Sequence, residues 1–147
     1  MEGLAGRGPP LTVVIDASAA ACWCSSDEAS PQSDALFTDV LSNGAVVPAL
    51  WHLEIGNMLR QAERRKRISE AVSQRQLSLL SQLPIKIDDD TARHAWLTTI
   101  GLARTHALTV YDAAYLDLAL RRSVPLASKD DALLRAAEAC GVAVIPL

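Results

Sequence analysis

Residues 11–18 read Leu11-Thr12-Val13-Val14-Ile15-Asp16-Ala17-Ser18. The run from Leu11 to Ile15 is short, apolar and rich in β-branched side chains, and polar residues do not alternate through it. That pattern predicts a strand buried on both faces, as in a parallel sheet covered by helices. The strand ends at Asp16, and Ser18 is placed to cap a short helix through about Cys24. Outward from this stretch the same grammar repeats. A helix is expected over 32–42, stopped by Asn43-Gly44, and then a strand over 45–47 closed by Pro48. Helices over 49–67 and 70–82, a strand over 84–87, and helices over 88–105 and 109–122 follow. A strand over 124–127, a helix over 129–140 and a strand over 142–145 close the chain. Strands alternating with helices predict the α/β class, here a three-layer α/β/α fold with a central parallel sheet. In such sheets ligands bind outside the carboxyl ends of the strands. Acidic residues just after strands, or early in the helices that leave them, are therefore the first candidates for chemistry.

The chain of 147 residues suits a single domain over 11–147, behind a loose tail over 1–10 that holds three glycines and Pro9-Pro10. Half of the residues are hydrophobic and 21% are charged, which excludes intrinsic disorder. No apolar run is long enough to span a bilayer. The opening MEGLAGRGPP lacks the apolar stretch of a secretion signal. A cytoplasmic protein with no membrane partner is expected. Three cysteines, Cys22, Cys24 and Cys140, make neither a disulfide framework nor a four-cysteine zinc site. Fourteen basic residues against 17 acidic ones give a net charge of −3. That balance argues against a protein held on nucleic acid by phosphate contacts alone, but it suits an enzyme that touches nucleic acid briefly.

Four carboxylates stand out. Asp16 follows the first strand directly, where it is either a turn and cap residue or a member of a site. Glu54 lies in PALWHLEIGNMLR, with Leu50, Trp51, Asn57 and Met58 as its helical neighbours. It therefore sits on or beside the buried stripe, where a carboxylate needs a partner, a proton or a metal. Asp112 has a similar setting. Thr109-x-x-Asp112 also fits a capping box, so cap and function are both open. Ser128-x-x-Asp131 is another capping box, which gives Asp131 a local role and leaves Asp130 free to face the crevice. Ser128 can cap the helix and line the site. Carboxylates gathered in one crevice repel each other and are costly to desolvate, and a divalent cation relieves both penalties. An all-oxygen ligand set suits Mg²⁺ or Mn²⁺, not zinc. Mg²⁺ also accepts phosphate oxygens, which is the equipment for metal-assisted phosphodiester hydrolysis.

These segments resemble the PIN-domain ribonucleases, specifically the VapC-type toxins of bacterial toxin–antitoxin pairs. The likeness runs from about Leu11 to Leu147. It rests on VVIDAS, VVPALWHLEIGNML, LTVYDAAYLDLALRR and VPLASKDDALLRAA, the last two being the most specific. The resemblance implies that Asp16, Glu54, Asp112 and Asp130 are the catalytic, metal-binding acids. It places Ser18 and Ser128 in the lining of the same site, with Asp131 as the competitor of Asp130 for the fourth position. It further implies RNA cleavage with Mg²⁺ or Mn²⁺, a homodimer, and silencing by a small VapB-type antitoxin.

Other features bear on the site less directly. Arg60, Arg64 and Arg67 share a face by helical spacing and would offer RNA phosphates a contact; a solvated, dipole-favoured helix end is the alternative. Asp117 lies five residues after Asp112 and has Arg121 four residues on as an ion-pair partner, with a supporting place behind the site as its other reading. The histidines, His52, His94 and His106, form no His-x-x-x-His pair. Trp23, Trp51 and Trp96 read as core or interface anchors. Two other functions compete with the nuclease. A phospho-accepting receiver would use Lys129, but it needs an acidic pair after the first strand where Asp16 stands alone. A catalytically silent PIN-like binding module is the third reading, and the intact four-acid set argues against it.

Overall fold

The structure is a computed structural model that describes residues 12–147. The expected tail over 1–10, and Leu11 of the first expected strand, lie outside the described residues. Five strands form one all-parallel sheet in the order β3-β2-β1-β4-β5. They are β1 (Val13–Ile15), β2 (Ala45–Val47), β3 (Ile85–Ile87), β4 (Leu126–Ser128) and β5 (Val144–Pro146). The α/β class and the central parallel sheet flanked by helices are as the alternation predicts. β1, β2 and β4 are buried at every position, whereas the edge strands β3 and β5 are partly exposed. Val14, Ile15, Val47 and Leu126 are fully buried in the central strands. Each contributes about 1.5–3 kcal/mol relative to exposure. Chain order runs outward from β1 to β3, then returns to the other side of β1 for β4 and β5. The topological switch point thus lies between β1 and β4, and in sheets of this kind the crevice at that point is the ligand site.

The helices are α1 (Ala17–Cys24), α2 (Pro31–Asn43), α3 (Trp51–Arg64), α4 (Glu70–Ser81), α5 (Thr91–His94), α6 (Ile100–His106), α7 (Val110–Arg122) and α8 (Asp131–Ala139). Ser30 and Ser33 form a reciprocal capping box at the start of α2, with Pro31 in its first turn. Gly44 ends α2 at φ 82°, ψ 177°, a conformation essentially confined to glycine. A Cβ there would also stand 2.9 Å from the Pro84 carbonyl oxygen.

Several sequence expectations are corrected. α3 stops at Arg64, not Arg67. Lys66 adopts φ 58°, and the Lys66 and Arg67 amides turn back to the carbonyls of Glu63 and Ala62 at 2.9 Å each. This closing turn takes Arg67 off the helix, so the shared face of Arg60, Arg64 and Arg67 does not exist. Arg60 leans on Glu63 at 3.5 Å, while Arg65 and Arg67 line a cavity of about 680 Å³ beside α1. The helix expected over 88–105 starts at Thr91 and carries a π-helical turn, Ala95–Thr99, between α5 and α6. Trp23 and Trp51 are packed in line with the core reading, whereas Trp96 on the π turn is 88% exposed, which removes the core reading for it and leaves the interface one. Neither Ser18 nor Ser128 caps its helix. Asp16 caps α1 and Asp130 caps α8, while the hydroxyls of both serines donate to the Asp16 carboxylate.

Candidate active site

Asp16 stands at the carboxyl end of β1, 5% exposed. Its Oδ1 accepts hydrogen bonds from Ser18 Oγ at 2.7 Å and from the Ala19 amide at 2.9 Å. Its Oδ2 accepts from Ser128 Oγ at 2.5 Å. Ser128, at the end of β4, also accepts from the Asp130 amide at 2.9 Å. Ser18 accepts from the Lys129 amide at 2.9 Å. The two serines therefore clasp Asp16 from either side of the switch point, Ser18 from the first turn of α1 and Ser128 from the end of β4, and they fix both of its oxygens. Asp130, half-buried, accepts from the Leu133 amide through Oδ1 at 3.0 Å. Asp131 is the first residue of α8 and points into solvent. The capping box expected at Ser128-x-x-Asp131 is thus replaced: Asp130 is the cap, and its charge acts on Asp16.

Glu54 lies in the first turn of α3 and Asp112 in the first turn of α7, each half-buried. The Thr109 hydroxyl accepts from the Asp112 amide at 3.0 Å, as the capping-box spacing predicts. Asp16, Glu54 and Asp112 carry raised pKa values, each through burial and the charges of neighbouring acids. Burial raises the pKa of Asp16 above its ordinary value despite the three hydrogen bonds it accepts, and the Asp130 charge adds to the rise. Burial raises Asp112 as well, reinforced by Asp130 and Asp16. Glu54 is raised by burial and by the charges of Asp112 and Asp16, against a lowering by Tyr115. These three carboxylates are therefore harder to ionise than free ones.

Residues 13–139 match the PIN domain family. The chain belongs to the PIN-domain family. PIN domains are typically nucleases and usually bind divalent metals. A comparison with curated proteins gives no significant match. Among solved structures, this PIN domain is similar to PAE2754 from Pyrobaculum aerophilum, with a TM-score of 0.69 and 22% identity. The likeness covers 94% of this chain and 93% of that one, and it shows the fold. Among the described residues no helix is long and apolar enough to cross a membrane.

The donor set of this PIN domain fits a hard divalent cation. Its acids offer oxygen alone, they are desolvated, and their charges oppose one another until a cation is added. No three of the described His, Cys, Asp and Glu side chains converge closely enough to enclose an ion by themselves. The four acids thus face one another at electrostatic range rather than at ligand range. The sequence resemblance assigns such an ion to Asp16, Glu54, Asp112 and Asp130.

Sequence reasoning passed over Tyr115. It is 1% exposed, one turn after Asp112, and its hydroxyl donates to Glu54 Oε1. Burial and the Glu54 carboxylate hold its phenol protonated far above the ordinary range. Tyr115 is thus a fixed donor that orients Glu54 toward the other acids. Partners of this kind, one step behind a metal ligand, are worth about 10–100-fold in metal affinity. Tyr115→Phe is expected to weaken Mn²⁺ binding within that range while the fold persists, as a calorimetric titration would show. Unchanged affinity would mean that Glu54 needs no such support.

Proposed function

We propose that this PIN domain is a Mg²⁺- or Mn²⁺-dependent endoribonuclease, acting in the cytoplasm as the toxin of a VapBC-type pair, as a homodimer restrained by a VapB-type antitoxin. The observation that carries the nuclease reading is the gathering of Asp16, Glu54, Asp112 and Asp130 around the switch point, with three of their pKa values raised by burial and mutual repulsion. A site of this kind is organised for a divalent cation and a polyanionic substrate. A bound ion would lower the pKa of a water and neutralise phosphate charge. The rest is the work of the chain. Ser18 and Ser128 lock both oxygens of Asp16, Tyr115 holds Glu54, and the cap bond to Leu133 fixes Asp130. At the end of α3, Arg65 and Arg67 offer phosphate contacts, together with Arg60 and Arg64 on the helix itself. RNA as substrate, the antitoxin and the dimer rest on the sequence resemblance to VapC-type toxins.

The test is cleavage of end-labelled total RNA by the purified chain in Mg²⁺, Mn²⁺ or EDTA, beside single- and double-stranded DNA. Asp112→Asn prepared in parallel exposes contaminating nucleases. Discrete RNA fragments from the wild type alone, lost in EDTA, are expected. Cleavage of DNA in place of RNA would move the substrate class. Identical lanes for wild type and variant, joined to an absence of Mn²⁺ binding, would leave a silent binding module.

A further inference from the structure

On the far side of α7 from the acids lies a second charged cluster, and it is fully engaged. Arg121 grips Asp88 with both terminal nitrogens, Nη2 to Oδ2 at 2.7 Å and Nη1 to Oδ1 at 3.2 Å. Its Nε donates to Asp117 Oδ2 at 2.8 Å. Asp88 and Asp117 are 2% and 3% exposed. Thr98 Oγ1 donates to Asp117 Oδ1 at 2.6 Å. Since Thr98 spends its single hydrogen there, its lone pair faces His94 Nδ1 at 3.4 Å. Thr91 Oγ1 shares its hydrogen between the Asp88 carbonyl oxygen at 3.1 Å and Asp88 Oδ2 at 3.2 Å, and accepts from the Ala49 amide at 3.0 Å.

Two buried carboxylates on one guanidinium are an expensive way to fill space, because apolar side chains of similar volume would serve stability as well or better. What such a cluster does supply is a fixed geometry. A guanidinium held through three nitrogens sets both the axial position and the rotation of the helix that carries it, which the point charge of a lysine does not. The helix in question is α7, which carries Asp112 in its first turn and Tyr115 in its second. The other end of the cluster reaches, through Thr91, the backbone at Ala49, just ahead of α3 and its Glu54. The π turn supplies the third tie, since it presents Thr98 to Asp117; π turns recur where a helix is adjusted for function.

We propose that Arg121 is a positioning residue for the carboxylate site: with Asp88, Asp117, Thr98 and Thr91 it clamps α7 against the start of α3 and so sets the approach of Asp112 and Tyr115 to Glu54. This rests on the metal-dependent nuclease reading above for its consequence, and on the hydrogen bonds alone for its geometry. The test compares Arg121→Lys, which keeps the charge and loses the fork, and the milder Thr98→Val with the wild type. Val40→Ala, in the core on α2, serves as a folding control. Two readouts are taken well below the melting temperature: Mn²⁺ affinity, and the NMR signal of the Tyr115 hydroxyl proton in metal-free protein. Arg121→Lys is expected to weaken Mn²⁺ binding about 10-fold or more and to shift or erase the Tyr115 signal. Thr98→Val is expected to do the same more weakly. Val40→Ala is expected to lower the melting temperature and leave both readouts unchanged. Arg121 variants that are destabilised but keep wild-type Mn²⁺ affinity and Tyr115 signal would reduce the cluster to a structural one and overturn the proposal. A wild type that binds no Mn²⁺, but whose Tyr115 signal still responds to Arg121→Lys, would sustain the clamp and remove the nuclease reading instead.

Discussion

Asp16→Asn is expected to abolish RNA cleavage and to leave the metal-free fold as stable as the wild type or more so. The two effects share one cause. Asp16 is the most buried of the four acids, and its folded-state pKa lies above the ordinary 3.8 because burial, and then the Asp130 charge, disfavour its ionised form. A carboxylate raised in this way binds more protons folded than unfolded. By linkage, metal-free stability then falls as pH rises from 3.8 through the folded pKa. Glu54 and Asp112 contribute in the same direction. Asparagine keeps the shape of Asp16 and is itself a good helix cap, so the bond from the Ala19 amide persists. It removes the unfavourable charge, and the Ser128 hydroxyl, which loses its acceptor at Oδ2, has Ser18 Oγ at 3.3 Å to turn its hydrogen to. Cleavage, by contrast, loses a charged ligand that sits at the switch point with both oxygens fixed. Since a residue merely supporting a ligand is worth about 10–100-fold, the loss of Asp16 is expected to exceed about 100-fold. The measurements are RNA cleavage in Mg²⁺, and denaturant unfolding in EDTA at a series of pH values above 3.8. Wild-type stability is expected to decline with rising pH more steeply than that of Asp16→Asn. A variant that unfolds more easily than the wild type at neutral pH would show that the Asp16 charge stabilises the fold, contrary to this account.

Much of this was legible in the sequence, for reasons that also mark where legibility stops. The buried strands announce themselves because a strand covered on both faces has nothing polar to alternate, as in Val13-Val14-Ile15 and Ala45-Val46-Val47. Asp16 and Glu54 were visible because a carboxylate directly after such a strand, or beside an apolar helical stripe, needs a reason. Tyr115 was not, because a tyrosine in an apolar helix is ordinarily core, and its hydroxyl partner lies 61 residues away. Asp88 was hidden in plain view. Asp88-Asp89-Asp90 reads as an acidic helix start, and only the tertiary structure turns the first of the three inward to Arg121. The end of α3 was missed because Arg65, Lys66 and Arg67 are good helix formers, and nothing local signals that Lys66 will turn left-handed. At the two caps the sequence offered hydroxyls and carboxylates within three residues of each other. The serines lost the caps because their hydroxyls were drawn to Asp16.

Asp88→Asn is expected to be among the most destabilising single substitutions outside the apolar core, and its effect should disappear in acid. Asp88 is buried, and burial alone would raise its pKa. The paired Arg121 guanidinium more than offsets this, with help from the Asp90 amide and Thr91, and holds the carboxyl below its ordinary 3.8. Removing one partner of a buried ion pair costs about 3–5 kcal/mol. Arg121 keeps Asp117 at 2.8 Å, which places Asp88→Asn near the low end, at about 3 kcal/mol. For a chain of this size that is a fall of roughly 10 °C in melting temperature. The sign of the pH dependence is opposite to that of Asp16. A carboxylate with a depressed folded pKa binds fewer protons folded than unfolded, so its stabilisation is fully present above the unfolded value of 3.8 and drains away as pH falls through the folded one. The gap between wild type and Asp88→Asn should therefore be constant near neutrality and close below pH 3.8. Asp16→Asn acts in the window above that value, so the two variants separate the acids that the fold needs charged from those it holds charged at a cost. Urea unfolding of wild type and Asp88→Asn across both windows, in EDTA, reads this directly. A gap that stayed constant into acid would mean that Asp88 stabilises by shape and hydrogen bonding, not by its charge, and Arg121 would then be anchored by Asp117 alone.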